Sequence, residues 1–352
     1  MRILDTTLRD GNYVIDFKFT ADDTQNIVSG LQKGGISLIE VGHGIGLGAT
    51  ANGISPAIVS DEIYAKAASV AIEKADWGMF CIPGIANLND IDMCANYGMD
   101  FIRIGVNVDE AEMAESFVSR AKQHNMFVAV NFMKSYTKTP EEFSKLVGQV
   151  QDYGGDITYL VDSAGNMTPD EVKRYFQVVQ SENDMPLGFH GHNNLGLASA
   201  NALMAFQCGA GVVDTSLQGM GRCTGNTVTE HFICLLDRLN VTHEYDLLEL
   251  MDVSEEFVRP KLRQIGWDSV DIVCGLAGFH SSYMSVIKKY SVQYDIDPRK
   301  LIRAVCEENR LDAPDDLVEE KAIMLKAQAR REGWKHKFPL DAYFGNEHVA
   351  MQ

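Results

Sequence analysis

Short apolar segments alternate with longer segments of helical periodicity about eight times before residue 240, and this alternation restricts the fold more than any other feature. The short segments are rich in β-branched and aromatic residues, as buried strands are. They are Ile3–Thr6, Leu38–Val41, Gly78–Ile82, Phe101–Val106, Phe127–Phe132, Ile157–Val161, Leu187–His190 and Val212–Leu217. Parallel strands need crossover helices, and eight such units close a sheet, so the pattern predicts an α/β fold, a (βα)8 (TIM) barrel. An open doubly wound sheet is the alternative.

The segments between the predicted strands carry the signals of helix ends. Thr139-Pro140 and Thr168-Pro169 are each followed by two acidic residues, a combination that suits the free N–H groups of a helix N-terminus. Glycines such as Gly154 and Gly209 stand just ahead of the next strand, where helices commonly end. These signals support strand–helix repeats.

After residue 240 the pattern becomes wholly helical. Tyr283, Ile287, Tyr290 and Tyr294 share one helical stripe, and Asp297-Pro298 is typical of the start of a further helix. A chain of 352 residues also exceeds the size at which single domains usually stop growing. We therefore predict two units, a catalytic barrel over residues 1–240 and an all-helical C-terminal domain over residues 241–352.

The charge of the chain argues against two classes of partner. Lysine and arginine number 31 and aspartate and glutamate 49, which gives a net charge of −18 that repels phosphate backbones and anionic lipids. The basic cluster of Arg330, Arg331, Lys335 and Lys337 lies in a glutamate-containing tail typical of solvated surface. We expect neither a nucleic-acid nor a membrane partner.

The cysteines and the hydropathy of the chain indicate where in the cell the protein is located. Seven scattered cysteines without a CxxC pair argue against a disulfide framework or a thiolate zinc site. The first residues contain charges and turn formers rather than a signal peptide, and no apolar run approaches the roughly 18 residues that span a bilayer. We expect a cytoplasmic protein.

Polar side chains follow the predicted strands at the end where barrels build their sites. His190 and His192 stand two residues apart in an extended segment, so they face the same way and can hold one metal ion. Asp10 can supply a carboxylate. Two histidines and one carboxylate suit a divalent cation with open positions, and Mn²⁺, Mg²⁺, Zn²⁺ and Fe²⁺ are all admissible.

Two further residues at strand ends have more than one interpretation. His43 lies in a glycine-rich loop that matches no nucleotide-binding pattern, and it is either a substrate contact or a residue that hydrogen-bonds within the loop. Lys134 is a candidate for a Schiff base with a carbonyl substrate, for contact with an anionic substrate, or for a solvated lysine at the barrel rim.

Five ordered motifs carry a resemblance to a known family. They are Asp5-Thr6-Thr7-Leu8-Arg9-Asp10-Gly11, Ile39-Glu40-Val41-Gly42-His43-Gly44, Asp162-Ser163-Ala164-Gly165, His190-Gly191-His192-Asn193, and Gly219-Met220-Gly221 with Gly225-Asn226. Together they resemble the DRE-TIM metallolyase superfamily and, within it, the 4-hydroxy-2-oxovalerate aldolases. Those enzymes split a 4-hydroxy-2-oxo acid into pyruvate and an aldehyde.

The resemblance implies a role for each matching position. The positions of Asp10, His190 and His192 hold the divalent metal in the family, often Mn²⁺, and Asn226 matches an asparagine that ligates metal in some relatives. The arginine that matches Arg9 stabilises a pyruvate enolate. The serine that matches Ser163 contacts the substrate.

The chain departs from the family pattern at three positions. The aldolases have a histidine base where this chain has Tyr13 and a tyrosine where it has His280, as if the two residues had exchanged places. Histidine titrates near neutral pH and tyrosine near pH ~10, so we expect His280 to be the base and Tyr13 to orient it. A different substrate or reaction is the alternative. Lys134 replaces an apolar residue of the aldolases, which indicates an additional negative charge on the substrate.

Two other functions remain open at this point. The first is a Claisen-type condensation of an acyl-CoA with a 2-oxo acid, and the second is a non-catalytic barrel subunit. The C-terminal segments Ala277–Tyr283 and Tyr294–Asp297 follow the aldolase layout, which favours cleavage of a small 2-oxo acid. We also expect a homo-oligomer, and the family implies an acylating aldehyde dehydrogenase as a partner.

Overall fold

Eight parallel strands close into a barrel in chain order. The structure, a computed structural model, describes residues 1–262 and 269–332. The strands are β1 Arg2–Asp5, β2 Leu38–Val41, β3 Asp76–Cys81, β4 Phe101–Asn107, β5 Phe127–Met133, β6 Ile157–Asp162, β7 Leu187–Gly191 and β8 Val212–Thr215. Because β1 pairs with β8 as well as with β2, the sheet has no edge, and the open-sheet alternative is excluded. The predicted barrel is confirmed, with strand ends displaced by at most two residues.

A helix follows each strand and covers the outside of the barrel. The helices are α1 Ala21–Lys33, α2 Asp61–Ala71, α3 Leu88–Asn96, α4 Ala114–Gln123, α5 Pro140–Tyr153, α6 Pro169–Glu182, α7 Ala198–Gln207 and α8 Thr229–Arg238. The predicted caps are present on α5 and α6, where Thr139 and Thr168 each form a reciprocal capping box with the glutamate three residues on. These caps satisfy N–H groups that would otherwise lack partners.

The interior of the barrel is built in layers, because alternate residues of each strand face inward. A buried cluster of inward-facing residues contains Leu4, Leu38, Phe101, Ala129, Ile157, Tyr159, Val161 and Val212. Two residues further along three of these strands stand Glu40, Arg103 and Asp214, all buried. Three charged residues therefore lie inside the barrel, nearer to the carboxyl ends of β2, β4 and β8 than the cluster residues of the same strands.

The C-terminal segment is helical. Its helices are α9 Leu247–Val253, α10 Ser269–Ala277, α11 Met284–Tyr294, α12 Pro298–Cys306 and α13 Asp315–Glu332. Helix α9 packs on α1 so closely that a Cβ added at Gly30 would lie 2.2 Å from Val253. A separate hydrophobic cluster runs from Val270 to Ala322. The division of the chain at residue 240 stays a prediction, and Lys335 and Lys337 lie outside the described residues.

None of the helices within residues 1–262 and 269–332 is both long enough and apolar enough to cross a membrane.

Candidate active site

Three predicted metal ligands come together at the carboxyl ends of the strands. Asp10 follows β1, while His190 and His192 lie at the end of β7, the strand that precedes β8 in the closed barrel. One potential ligand atom from each side chain lies within 4.8 Å of the other two, and all three residues are buried. The closed barrel places β7 two positions from β1, which is why residues 180 apart in sequence meet here.

The donor set fits a divalent cation. Nδ1 of His192 and Oδ1 of Asn226 are buried and have no hydrogen-bond partner within the described part of the chain. The Nδ2 of Asn226 donates to Oδ2 of Asp10 at 2.8 Å, which holds the amide beside the cluster. Buried polar atoms without partners are costly, and a bound ion would satisfy such atoms.

The charge state of the cluster also suits a cation. Burial raises the pKa of Asp10, but Arg9, the two histidines and Arg222 outweigh it and hold that pKa well below its usual range. Burial, with the positive charge of Arg222, lowers the pKa of His192 well below its ordinary value. Asp10 is therefore ionised and His192 neutral at pH 7, which are the states that bind a metal.

A chain of buried ion pairs fixes Arg9 and His190. Arg9 Nε donates to Glu40 at 2.7 Å, and Arg103 donates to the same carboxylate oxygen at 2.8 Å. Arg103 also pairs with Asp214, whose Oδ2 lies 2.8 Å from Nδ1 of His190. A carboxylate only accepts hydrogen bonds, so Nδ1 of His190 is the donor of this pair, and Nε2 is the ring nitrogen that remains for a metal.

A cavity of about 410 Å³ adjoins this cluster. Eight of the ten residues singled out in the sequence line it: Arg9, Asp10, Tyr13, Lys134, Ser163, His190, His192 and His280. Part of its remaining wall is apolar and contains Ile54, Ile82 and Ile85. Asn226 stands behind Asp10, and His43 is outside the lining.

His280 reaches the cavity from the helical segment. It lies between α10 and α11, where its Nδ1 accepts a hydrogen bond from the backbone N–H of Ser282 at 3.2 Å. A single nitrogen of Arg222, Nη2, lies 3.4 Å from Nε2 of His280 and 3.2 Å from Nε2 of His192. Burial, Arg222 and Lys134 lower the pKa of His280 well below its ordinary value, so the imidazole is neutral at pH 7.

Tyr13 lies on the cavity wall beside the glycine-rich loop. A Cβ added at Gly44 would lie 2.6 Å from its ring, so only glycine allows this approach. Phe17 packs edge-on against Tyr13 with ring centres 5.1 Å apart. Tyr13 and His280 thus face one cavity, although one follows β1 and the other belongs to the C-terminal segment.

His43 forms hydrogen bonds within the loop in which it lies. Its Nε2 lies 2.8 Å from the carbonyl oxygen of Ser55, and its Nδ1 accepts the N–H of Ile45 at 3.1 Å. The ring also stacks on Phe17 at 4.1 Å. Because both ring nitrogens are used within the loop, the geometry favours the second of the two interpretations, that of a residue that hydrogen-bonds the loop.

Lys134 and Ser163 both line the cavity and are connected by a hydrogen bond. Lys134 directly follows β5 in a left-handed conformation with φ of 63°, and its backbone N–H donates to Oγ of Ser163 at 3.1 Å. The residue is 4% exposed. The interpretation of Lys134 as a solvated rim residue is therefore wrong, because its ammonium group is enclosed.

The sequence analysis missed several residues of the site. Arg222 joins the barrel to the helical segment through Ser281 and also donates to the carbonyl oxygen of Ser163 at 3.0 Å. Arg222 lies within a glycine-rich motif of the sequence, but no sequence pattern predicts which residues it contacts. A sequence pattern could have identified Glu40, Arg103 and Asp214, because each is a charged residue within a predicted apolar strand.

Comparison with known proteins identifies the family. The profile described as HMGL-like matches residues 1–257. The chain belongs to the HMGL-like family. This membership confirms the resemblance to the DRE-TIM metallolyases that the five motifs indicated.

Relatives of known name cover almost the whole chain. A 4-hydroxy-2-oxovalerate aldolase of Carboxydothermus hydrogenoformans is 34% identical over 327 residues, which is 92% of this chain and 97% of that protein. The enzyme of the same name from Moorella thermoacetica is 33% identical over 331 residues, 94% of this chain and 98% of its own. The similarity thus extends through the helical segment that carries His280.

Solved structures share the fold at lower identity. The carboxyl transferase domain of Rhizobium etli pyruvate carboxylase superposes with a TM-score of 0.76 at 15% identity, covering 97% of this chain and 64% of that one. The HMG-CoA lyase of Bacillus subtilis superposes with a TM-score of 0.65 at 19% identity. The superposition covers 74% of this chain and 93% of that one. At these identities the likeness shows the fold alone.

Proposed function

We propose that this HMGL-like protein is a divalent-metal-dependent aldolase that cleaves a 4-hydroxy-2-oxo acid into pyruvate and an aldehyde. The observation that carries the proposal is the buried cluster of Asp10, His190 and His192 on the wall of a cavity that Arg9 also lines. The relatives named 4-hydroxy-2-oxovalerate aldolases support it. We assign Mn²⁺ as the ion, held by the three side chains with Oδ1 of Asn226 as a further ligand.

Cleavage of the C3–C4 bond places negative charge on the 2-oxo oxygen. When bound, a divalent cation supplies a Lewis acid that polarises the 2-oxo group. Arg9 adds a fixed positive charge at the same end of the cavity, because Glu40 and Asp10 hold its guanidinium by hydrogen bonds of 2.7 Å. A charge that is already oriented stabilises the enolate without reorganisation during the reaction. Ser163 is assigned to substrate contact beside it.

The reaction also needs a base for the 4-hydroxyl group. We assign this role to His280, since it is neutral at pH 7 and lines the cavity, whereas the phenol of a tyrosine holds its proton until pH ~10. His280 takes the hydroxyl proton as the C3–C4 bond breaks, and C3 of the enolate takes up a proton to give pyruvate. Tyr13 is assigned to a hydrogen bond with the 4-oxygen.

Pyruvate release is the direct test. The purified chain is supplied with Mn²⁺ and with 4-hydroxy-2-oxo acids whose tails are neutral or anionic, and pyruvate is measured by a coupled lactate dehydrogenase assay. We expect release without added coenzyme A, its loss on chelation, and its return with Mn²⁺. Borohydride added with substrate should leave no adduct on Lys134 in the mass spectrum.

The opposite results separate the alternatives. Chelator-resistant activity with a trapped Lys134 would replace the metal mechanism with Schiff-base chemistry. Activity that requires an acyl-CoA would indicate the condensing enzyme. No reaction in either direction, with metal bound, would favour the non-catalytic subunit.

The cellular setting belongs to the same proposal. We place the protein in the cytoplasm, which the scatter of its seven cysteines and the absence of a CxxC pair from the sequence support. We also propose that it forms a homo-oligomer and pairs with an acylating aldehyde dehydrogenase that consumes the aldehyde. Light scattering of the purified protein, alone and mixed with such a dehydrogenase, measures both associations.

A further inference from the structure

Lys134 and Asp10 of the metal cluster stand on opposite sides of the barrel mouth. Lys134 follows β5 and Asp10 follows β1, and in a closed barrel of eight strands in chain order these strands are four positions apart in either direction. Both residues line the same cavity. The cavity therefore has Arg9, which is paired with Asp10 and Glu40, at one end and the positive group of Lys134 on the opposite wall.

Among the described residues, the hydrogen-bond partners of the Lys134 ammonium group are neutral. Its Nζ donates to the hydroxyl oxygen of Tyr283 and to the carbonyl oxygen of Leu311 at 3.2 Å, and it lies 4.5 Å from the centre of the Tyr283 ring. Within residues 1–262 and 269–332 it forms no ion pair with a carboxylate at 4.0 Å or less. Burying a charge without an opposite charge is costly, and burial accordingly lowers the pKa of Lys134.

The acidic residues nearest to Lys134 do not compensate it. Three acidic residues interact electrostatically with the Lys134 ammonium group, namely Asp109, Glu110 and Asp312. All three are exposed, so water and salt screen their charges. Asp109 is engaged by Lys138 at 2.5 Å, and Glu110 accepts a hydrogen bond from Asn107 at 2.7 Å. Lys134 thus lines the cavity with a charge that no nearby carboxylate of the described residues pairs with directly.

We propose that the substrate carries a second anionic group on its aldehyde portion and that Lys134 binds this group. The inference rests on the proposed function, which places the 2-oxo acid end of the substrate at Arg9 and Asp10 and so directs C4 and the tail across the cavity. The chemical class is a 4-hydroxy-2-oxo acid with a carboxylate or phosphate beyond C4. Cleavage then yields pyruvate and an anionic aldehyde, and the second anion takes no part in the bond that breaks.

Ligands that cannot be cleaved test the inference apart from the reaction. 2-Oxohexanedioate and 2-oxohexanoate share the 2-oxo acid end and the chain length, lack the 4-hydroxyl group, and differ in the terminal carboxylate. Calorimetric titration of the Mn²⁺-loaded chain should give a Kd at least about 10-fold lower for the dianion, as expected for a partly desolvated charge pair. A third titration with 2-oxo-6-phosphooxyhexanoate shows whether phosphate binds better than carboxylate.

Matched variants assign the preference to Lys134. Lys134→Met should abolish the preference for either anion, and Lys138→Met, which removes a lysine already paired with Asp109, should preserve it. Lys134→Gln is the second neutral variant if Lys134→Met does not fold. Equal binding of the two six-carbon acids by the wild type, no binding of either, or a preference that survives in the neutral variants would overturn the inference. Because binding is read without turnover, this failure is distinct from a failure to release pyruvate.

Discussion

His280 is one of the residues at which the family resemblance implies a departure from the aldolase pattern. Its imidazole shares the Nη2 atom of Arg222 with His192, and that positive group favours the neutral form of both rings. Positive charge near a base lowers its pKa, so the base stays available at a pH where a solvent-exposed histidine would be protonated. On the proposed assignment, the base of this site therefore belongs to the helical segment rather than to the turn after β1.

Replacement of His280 tests this assignment. We expect His280→Ala to lower kcat by about 100-fold or more, the usual share of general base catalysis, with metal content unchanged. A base must be deprotonated to act, and its pKa is lowered, so the acidic limb of the kcat profile should lie below the ordinary histidine pKa of 6.5 and should vanish in the variant. Stopped assays from pH 4.5 to 8 measure both effects.

Tyr13→Phe is the matched comparison, because it removes one hydroxyl group from the other member of the pair. It should cost less in kcat than His280→Ala and should leave the acidic limb in place. Near-normal turnover of His280→Ala would refute the base assignment, and Tyr13 would then be the residue to examine.

At the scale of the strands, the alternation of side chains brings three charges into the barrel interior. Glu40 in β2 accepts from both Arg9 and Arg103, and Arg103 in β4 also pairs with Asp214 in β8. These groups are almost fully removed from solvent. Buried pairs are costly to break, because each remaining charge stays without compensation.

Glu40→Ala should therefore destabilise the protein strongly. We expect a loss of about 3–5 kcal/mol in the free energy of unfolding, measured by urea denaturation of the metal-free chain. Glu255→Ala removes an exposed carboxylate that pairs with Arg259 four residues on, and it should change stability by less than about 1 kcal/mol. Equal losses in the two variants would show that the interior layer is not a coupled network.

At the scale of the whole molecule, the site joins the first strand, the last strands and the helical segment. Arg222 from the barrel donates to Ser281, and Lys134 donates to Tyr283, so two barrel residues contact the turn between α10 and α11. Asp10 and His190 are brought together only when the barrel closes. A ligand that binds these groups must therefore stabilise the folded state as a whole.

Metal binding should increase the free energy of unfolding of the chain. We expect about one divalent ion per chain by elemental analysis, and at a free Mn²⁺ concentration 100 times Kd the free energy of unfolding should rise by about 2.7 kcal/mol. His190→Ala and His192→Ala should lose both the ion and the increase in Tm, because each removes one of three protein ligands. Unchanged metal content in both variants would contradict the assigned ligands. His43→Ala, outside the cavity lining, is the histidine control for metal content.

Local patterns in the sequence determined the architecture. The caps at Thr139 and Thr168, the apolar strands and the glycines before them depend on a few neighbouring residues, so they predicted all eight strands and the closed barrel. The spacing of His190 and His192 is equally local, because alternate residues of a strand face one side. The same reasoning identified several polar residues of the cavity lining, since barrel sites form at the ends of strands.

Only the tertiary structure decided which of these groups meet and which charges remain unpaired. His43 and Lys134 stand in similar positions along the chain, after β2 and after β5, yet the first is used up by hydrogen bonds within its loop and the second is enclosed beside the cavity. Arg222 takes part because the barrel and the helical segment pack together. Pairing and burial depend on contacts between residues far apart in sequence, and no local periodicity records them.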